Sequence, residues 1–371
     1  MKIVINTAHQ RFGGAVQVAL SFISECVHFT DHEYHVWLGH GVGKEINTSD
    51  FPVNFSFYEH DFGTIGFRTI PLIQKTLAQL EDQIKPDIII ATSGPTYYNS
   101  KAPQIIGFNL PLYIYPESPY VQQMSLKQKL KLWLKKKAHY YYFKRDAAAY
   151  VVQTDDVNNR VQKALGTSQV HTVTNTHSKF YLQDNHAEPK LSARENGEIR
   201  LLTLSSYYPH KNLEIIPKVA DLLIKEGYHK IRFVLTLKPQ DFDNYIGTHP
   251  AIMNVGPVRP QDCPSLYEEC DFMFLPTLAE CFSASYAEAM VMKKPIITTD
   301  LGFARSICGD AALYFEPKNP QSAYLAIKRL LNNQDLCNRL VIKGLEQLKT
   351  FDTAPERAQK YLEICKSLNS K

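Results

Sequence analysis

Short apolar runs recur along the chain, and most are followed by a segment whose apolar positions have helical spacing. In the first half, the runs predicted as buried strands are KIVINT at the start, YHVWLG (34–39), DIIIAT (87–92), QIIGF (104–108) and AAYVVQT (148–154). In the second half they are IRLLTLSS (199–206), IRFVLTL (231–237), DFMFLP (271–276) and KPIITTD (294–300). Alternation of strand and helix predicts parallel sheets with helices on both faces.

The alternation stops near Asn175, where the polar stretch THSKFYLQDNHAEPKLSARENGE has no apolar period and is typical of a linker or an excursion. At 371 residues the chain is too long for one ordinary domain. We therefore predict an α/β fold of two doubly wound domains, 1–175 and 176–352, with a final helix over about 353–371. Ligands of such sheets bind at the carboxyl ends of the strands, so a central cleft that both domains face is the expected site.

Composition and charge narrow the classes of protein that fit. Hydrophobic residues make up 44% and charged residues 21%, which is ordinary for a globular protein. The net charge of +4 is too small and diffuse to indicate nucleic-acid binding. No apolar run approaches the roughly 18–20 residues of a spanning helix, and MKIVINTAHQ lacks a signal-peptide pattern. A cytoplasmic location is expected.

The cysteines are scattered and odd in number, without a C-x-x-C pair, so buried reduced thiols are expected rather than disulfides or a zinc site. They are Cys26, Cys263, Cys270, Cys281, Cys308, Cys337 and Cys365.

Two glutamates stand out because they lie on either side of a predicted helix start. Glu280 follows the strand DFMFLP, and Glu288 lies within the first two turns of the next helix. A helix start offers unpaired N–H groups to phosphate or sugar oxygens, and a carboxylate suits the vicinal hydroxyls of a ribose or hexose. The alternative is purely local: SYAE (285–288) fits a capping box, in which Glu288 reaches back to Ser285, and Glu280 is an ordinary loop acid.

The surrounding sequence resembles a known family. Glu280-Cys-Phe-Ser-Ala-Ser-Tyr-Ala-Glu288-Ala-Met-Val-Met-Lys-Lys-Pro-Ile-Ile is similar to the E-x7-E signature of retaining glycosyltransferases of family 4, E-G-F-G-x-P-x-x-E-A-M-A-x-G-x-P-V-I. Further matches follow the family's order and cover nearly the whole chain, most strongly from about 200 to 300. They are Gly13-Gly14-Ala15, VVQTDDVNNRVQKAL (151–165), HTVTNTHSKF (171–180), HKNL (210–213) and NVGPVRPQDCPSLYEECDFMFLP (254–276).

The resemblance implies the GT-B fold, with two Rossmann-like domains facing a central cleft. The first domain would bind the acceptor, with the C-terminal helix packed back on it, and the second a nucleotide-diphosphate sugar. The implied activity is retaining transfer of a hexose to a cell-surface glycan or a lipid-linked glycan, without a metal or other cofactor.

The same resemblance implies roles for particular residues. Glu280 would stabilise the charge that develops on the donor sugar, Lys211 would neutralise the diphosphate, and Glu288 would hold the ribose. The other implied nucleotide-sugar-binding positions are Gly13, Gly14, Ser206, Val258, Leu266, Phe282, Ser283, Ala284 and Ser285.

Three departures from the family pattern affect this site. Ser206 stands where the family usually carries an arginine at the diphosphate, so Lys293 or Arg11 is a candidate to compensate. Cys281 and Ser283 replace two glycines, which hinders close approach of the donor. The segment GFNLPLYIYPESPY (107–120) lacks the histidine found in many relatives, and Glu117, Asn109 or its tyrosines are candidates for the acceptor instead. Two alternatives therefore stay open: a GT-B-shaped binding or scaffold protein without activity, and a nucleotide-sugar epimerase on the same fold.

Two further segments carry candidate chemistry. The segment 125–146 combines Lys127, Lys129, Lys131, Lys135, Lys136 and Lys137 with Leu126, Leu130, Trp133 and Leu134 at near-helical spacing. It fits an interfacial helix on the anionic inner face of the cell membrane, or an amphipathic helix packed on its own domain. Asp241-x-Asp243 resembles the metal-binding pair of GT-A transferases, but acids near a helix start explain it equally well.

Overall fold

The computed structural model describes residues 1–183 and 188–369, which divide into two compact units. The first unit contains 1–114, 124–175 and the described chain from Asp352 onward. The second contains Tyr115–Gln123 and the described residues of Thr176–Phe351. The chain thus leaves the first unit twice, and each time it returns.

Within the described residues, thirteen strands form two parallel sheets, one in each unit. The strands of the first unit are β1 Lys2–Asn6, β2 Glu33–Gly39, β3 Phe55–His60, β4 Ile88–Ala91, β5 Gln104–Gly107, β6 Ala149–Val152 and β7 Val170–Thr172. Those of the second unit are β8 Ile199–Thr203, β9 Ile231–Leu235, β10 Ile252–Asn254, β11 Phe272–Leu275, β12 Ile296–Thr299 and β13 Ala312–Phe315.

Most helices lie between successive strands, as parallel pairing requires, and three follow the last strand. The helices are α1 Gly14–Cys26, α2 His40–Gly43, α3 Ile70–Ile84, α4 Pro119–Gln122, α5 Leu126–Asp146, α6 Asp155–Leu165, α7 Ile215–Lys225, α8 Pro239–Tyr245, α9 Cys263–Glu268, α10 Ala284–Val291, α11 Gly302–Cys308, α12 Pro320–Leu331, α13 Gln334–Leu348 and α14 Ala354–Asn369.

Both sheets share one strand order. The first runs β3-β2-β1-β4-β5-β6-β7 and the second β10-β9-β8-β11-β12-β13. In each, the chain winds outward in one direction from the unit's first strand, then returns and winds the other way. This is the doubly wound, Rossmann-like arrangement that the alternating pattern predicts, and it opens a crevice at the carboxyl end of β1 and of β8.

Apolar helix faces cover the sheets and form the cores. In α1, Val16, Ala19, Ile23 and Cys26 recur at helical spacing and are buried. The C-terminal helix α14 packs on α1 in the first unit, where the Phe22 and Tyr361 ring centroids lie 5.0 Å apart. The final helix therefore contributes to the core of the first unit.

Every strand predicted from the sequence is present, and the structure adds β3, β7, β10 and β13. Within the polar stretch after Asn175, a short 3-10 turn spans Lys179–Leu182, and part of that stretch (184–187) lies outside the described residues. All seven cysteines are described, and each is buried with a free thiol. Among the described helices, none is both long and apolar enough to cross a membrane.

Candidate functional site

Lys211 is positioned by contacts between the chain that follows β8 and the chain that follows β11. It ends the 3-10 turn Pro209–Lys211, and Asn212 then adopts a left-handed backbone conformation with a φ of 56°. The Asn212 side-chain amide donates to the Pro276 carbonyl at 3.3 Å, and the Leu278 N–H donates to the His210 carbonyl at 2.8 Å. These bonds hold two neighbouring strand ends together at the carboxyl edge of the second sheet.

Glu280 meets Lys211 at this edge. The Lys211 Nζ donates to Glu280 Oε1, and the Thr277 hydroxyl donates to the same oxygen at 3.2 Å. The two side chains are largely buried, with exposures of 14% for Lys211 and 12% for Glu280. The structure thus brings together the two predicted catalytic residues, although they are 69 positions apart in sequence.

Glu288 lies in α10 and does not form the capping box that its spacing from Ser285 allows. The residue that precedes the helix is Ser283, so Ser285 is already inside the first turn. The Ser285 hydroxyl donates to the Leu204 carbonyl at 3.4 Å, and Glu288 Oε2 accepts a hydrogen bond from the Tyr267 hydroxyl at 3.4 Å. The local alternative for Glu288 is therefore wrong.

The surroundings of Glu288 perturb its ionisation. Burial raises the pKa of the Glu288 carboxyl from 4.5 to about 7, while the hydroxyls of Tyr181 and Tyr267 act in the opposite direction. The rings of these two tyrosines lie 5.8 Å apart. Sequence analysis missed both tyrosines, because Tyr181 belongs to the polar stretch and Tyr267 to a short helix, with no signal to connect them to Glu288.

The start of α10 lies between the two glutamates in sequence. Ser283 is buried and its side chain makes no capping hydrogen bond, while its carbonyl accepts from the Tyr286 N–H at 3.2 Å. Ala284 and Ser285 form that turn, and the Phe282 ring packs against Phe351 with centroids 5.4 Å apart. At these positions the backbone N–H groups, not side chains, are suited to bind an anion.

The remaining predicted positions of the second unit differ in accessibility. Ser206 is exposed in the loop after β8. Val258 is partly exposed between β10 and α9, after Gly256, whose φ is 77°. Leu266 is fully buried in α9, so its side chain belongs to the interior of the second unit.

Of the two residues suggested to compensate for the missing arginine, Lys293 lies at the wrong edge of the sheet and Arg11 is already in an ion pair. Lys293 lies between the end of α10 and β12, at the edge where strands begin, and so opposite to the Lys211 edge. It therefore does not compensate for Ser206. Arg11 forms an ion pair with Asp61 in the first unit, with Nη1 2.5 Å from Oδ1.

In the first unit, Gly13 and Gly14 open α1 after β1. Gly13 has a φ of 81°, which favours glycine, and a Cβ at Gly14 would meet no atom within 4 Å. The segments that follow β1, β4 and β5 form a polar network, of which the sequence analysis named only Asn109. His9 Nε2 lies 2.7 Å from the Ser93 carbonyl oxygen, and the Ser93 hydroxyl donates to Asn109 Oδ1 at 3.1 Å.

Burial lowers the pKa of His9 to about 4, although its hydrogen bond to the Ser93 carbonyl acts in the opposite direction, and the ring is therefore neutral near pH 7. Of the other residues suggested for the acceptor, Glu117 is exposed in the second unit.

The structure gives no additional support to a metal site at Asp241-x-Asp243. Both aspartates lie on α8, in its first two turns. Within the described part of the chain, His, Cys, Asp and Glu side chains form no group of three or more that fits a metal ion.

The region around this site matches a known family. Residues 198–333 match the model of the family Glycosyl transferases group 1, and this region includes Lys211, Glu280 and Glu288. No curated protein matches the chain in sequence.

Solved structures share the whole architecture. A sucrose-phosphate synthase from Thermosynechococcus elongatus is 12% identical, with a TM-score of 0.74 over 100% of this chain and 99% of that one. A glycosyltransferase from Rickettsia africae is 14% identical, with a TM-score of 0.72 over 99% and 98%. HepE of Anabaena, in complex with UDP-glucose, is 14% identical, with a TM-score of 0.72 over 100% of both chains. The chain has the GT-B fold, and together with the family match this supports a GT-B glycosyltransferase.

Proposed function

We propose that the protein is a retaining glycosyltransferase that moves a hexose from a nucleotide-diphosphate sugar to a cell-surface glycan or a lipid-linked glycan. The observation that carries this proposal is the contact between Lys211 and Glu280 at the carboxyl edge of the second sheet, within the region that matches Glycosyl transferases group 1. The Lys211 ammonium suits the departing diphosphate, and the Glu280 carboxylate suits the sugar.

Glycosyl transfer from a nucleotide separates charge, and the site contains a group for each sign. Negative charge grows on the diphosphate as the bond to the sugar breaks, and the Lys211 ammonium together with the N–H groups at the start of α10 would stabilise it. Positive charge grows on the sugar, and the Glu280 carboxylate would stabilise that charge. Thr277 orients Glu280 through its hydrogen bond of 3.2 Å.

Glu288 is proposed to hold the ribose of the donor. Its carboxylate accepts two hydrogen bonds readily, and vicinal ribose hydroxyls supply two donors. We propose further that the reaction needs no metal, with Lys211 and the start of α10 stabilising part of the negative charge on the diphosphate.

A thermal-shift screen with UDP, GDP, CDP and ADP tests the donor site. One diphosphate should raise the melting temperature equally in EDTA and in Mg²⁺, since a ligand at 100 times its dissociation constant adds roughly 2.7 kcal/mol of stability. Lys211→Met should abolish this shift. The matched control is Lys225→Met, which changes an exposed lysine in the last turn of α7 and should leave the shift intact.

A shift that requires Mn²⁺ or Mg²⁺ would contradict the metal-independent site, and the absence of a shift with all four diphosphates would contradict the donor site itself. A bound diphosphate without transfer to any acceptor would favour the binding-protein alternative.

The acceptor side involves α5, for which we propose peripheral association with an anionic membrane. Its first half exposes apolar side chains on one face, with exposures of 86% for Leu126, 57% for Leu130, 49% for Trp133 and 55% for Leu134. Exposed lysines flank this face, while the other end of α5 is anchored by buried Phe143. An apolar stripe bordered by lysines complements anionic lipid headgroups, and a lipid-linked acceptor would lie in the same surface.

Vesicle flotation tests this association. Lys136 should be left unchanged because it donates to the Tyr113 carbonyl at 2.7 Å. Changing four exposed lysines in the first half of α5 to glutamine should weaken binding to phosphatidylserine vesicles at least about tenfold, since each is worth on the order of 1 kcal/mol near an anionic surface. These lysines are Lys127, Lys129, Lys131 and Lys135.

The control changes Lys225 and Lys349, exposed lysines of the second unit, to glutamine. Equal flotation of the α5 variant and the control, or equal binding to neutral phosphatidylcholine vesicles, would refute the membrane role.

A further inference from the structure

The proposed donor site has less positive charge than a diphosphate needs. Lys211 is already paired with Glu280, so this pair has no net charge. Burial lowers the pKa of the neighbouring His210 below its ordinary value, which leaves that ring neutral near pH 7. Ser206, in the same loop, has no charge. A diphosphate brings at least two negative charges, so another cation is needed close to this loop.

Ser206 and a lysine follow two paired strands by the same number of residues. Strands β8 and β9 pair in parallel, their last pair is Thr203 opposite Leu235, and Ser206 and Lys238 each stand three residues beyond it. The two chains stay in contact beyond the strands. The Ser205 N–H donates to the Thr236 hydroxyl at 3.1 Å, and that hydroxyl donates to the Ser205 carbonyl at 3.3 Å.

The backbone that carries this lysine is also fixed from the other side. The Leu237 N–H donates to Asn254 Oδ1 at 2.9 Å, and the Asn254 side-chain amide donates to the Leu237 carbonyl at 3.0 Å. Asn254 ends β10, the next strand of the sheet. Thr236 and Leu237, the two residues before Lys238, are therefore each hydrogen-bonded to a neighbouring strand end. These bonds fix the position of the Lys238 backbone.

Lys238 differs from other cations at this edge because it is not engaged. It is exposed, and its side chain makes no hydrogen bond or ion pair with any residue that the structure describes. By contrast, Arg259, which follows β10, is paired with Asp262 at 3.0 Å, and Arg305, which follows β12, is paired with Asp300 at 2.6 Å. The Lys238 ammonium can reorient toward an anion without breaking a contact.

We propose that Lys238 binds the diphosphate of the nucleotide-sugar donor and supplies the cation that the Ser206 loop lacks. This inference rests on the proposed transferase function. It assigns the phosphate-binding charge to two adjacent strands: Lys211 after β8 and Lys238 after β9.

Diphosphate affinity tests this assignment, measured by titration calorimetry with UDP, GDP, CDP and ADP on the full chain. Lys238→Gln should weaken the diphosphate that binds the unmodified protein about tenfold or more, as loss of a charge-assisted contact does. Lys225→Gln is the matched control and should stay within about twofold of the unmodified protein. A Ser206→Arg change added to Lys238→Gln should restore most of the lost affinity, because it returns a cation to the loop that follows β8.

Affinity of Lys238→Gln equal to that of the Lys225→Gln control would overturn the assignment while leaving the proposed transferase intact. A loss that Ser206→Arg does not restore would also overturn it, since a disturbed loop rather than a lost charge would then be the cause. If the unmodified protein binds none of the four diphosphates, the donor site fails, and this inference with it.

Discussion

Glu280 and Glu288 have the same side chain in two different environments. Glu280 accepts hydrogen bonds from a lysine and a threonine hydroxyl. Glu288 lies against tyrosines in a buried position that favours its neutral form. Because the two environments differ, changing each glutamate to glutamine is expected to affect a different property of the protein.

Glu288→Gln should mainly weaken nucleotide binding. A ribose held by the carboxylate is present in the ground state and in the transition state alike, so turnover at saturating donor should change little. Loss of a charge-assisted hydrogen bond is expected to cost roughly 1.5–3 kcal/mol of diphosphate affinity. Titration calorimetry with the diphosphate, together with kcat at saturating donor, measures both quantities.

Glu280→Gln should instead lower turnover while diphosphate binding persists, because charge on the sugar develops only during transfer. A matched comparison is Glu214→Gln, which removes a carboxylate that accepts a hydrogen bond from Tyr207 in the same unit. A folded Glu280→Gln protein with full turnover would contradict the proposed mechanism. Small, equal effects of Glu280→Gln and Glu288→Gln on binding and turnover would mean that neither carboxylate contacts the donor.

Nucleotide affinity should depend on pH through Glu288. Its carboxyl has a raised pKa of about 7, so below that pH the free protein holds a proton there. Ribose hydroxyls donate to the carboxylate, so binding at low pH must first release this proton. Affinity should therefore rise about tenfold between pH 6 and pH 8, since about one carboxyl in ten is charged at the first pH.

Glu288→Gln should lose this pH dependence, and the comparison also cancels the titration of the nucleotide's own phosphate. The same substitution should stabilise the free protein above pH 7, because a carboxyl with a raised folded-state pKa destabilises the fold as pH rises from 4.5 through about 7. Identical pH profiles for the two proteins would show that Glu288 does not titrate in the bound site.

At the scale of the elements, the sequence predicts the interior strands and misses the edges. The four unpredicted strands, β3, β7, β10 and β13, are the outermost strands of the two sheets. An edge strand pairs on one side only and is less enclosed, so its apolar run is shorter or mixed with polar residues, as in FSFYEH of β3. An apolar pattern therefore predicts the central strands of such a sheet better than its edge strands.

In the candidate site, too, features set by neighbouring residues could be predicted, and contacts between distant segments could not. A strand end and a helix start are local features, and they placed Glu280 and the start of α10 at one edge, whereas Lys211 was named only through the family resemblance. Tyr181, Tyr267 and Thr277 reach the glutamates from other segments, and no spacing in the sequence relates them. The capping-box pattern was misleading for the same reason, since Ser285 is bonded to the chain after β8 instead.

At the scale of the whole chain, the first unit is completed by the end of the sequence. The chain crosses between the units near Thr174 and again near Asp352, where the Thr174 N–H donates to Asp352 Oδ2 at 2.9 Å. On α14, buried Arg357 donates to Asn175 and, at 2.6 Å, to the Ser21 hydroxyl of α1. Polar contacts thus fix α14 on the first unit beside an apolar interface.

Tyr361→Ala tests how far the first unit depends on this late segment. Tyr361 is buried against Phe22, and replacement of a buried aromatic side chain by alanine should lower the free energy of unfolding by about 3–5 kcal/mol. Ser367→Ala, an exposed change on the same helix, should alter it by no more than about 0.5 kcal/mol. Urea denaturation followed by circular dichroism measures both, and the diphosphate should still bind Tyr361→Ala in the absence of urea because the donor-site residues belong to the second unit. A Tyr361→Ala protein as stable as the Ser367→Ala control would mean that α14 is dispensable for the first core.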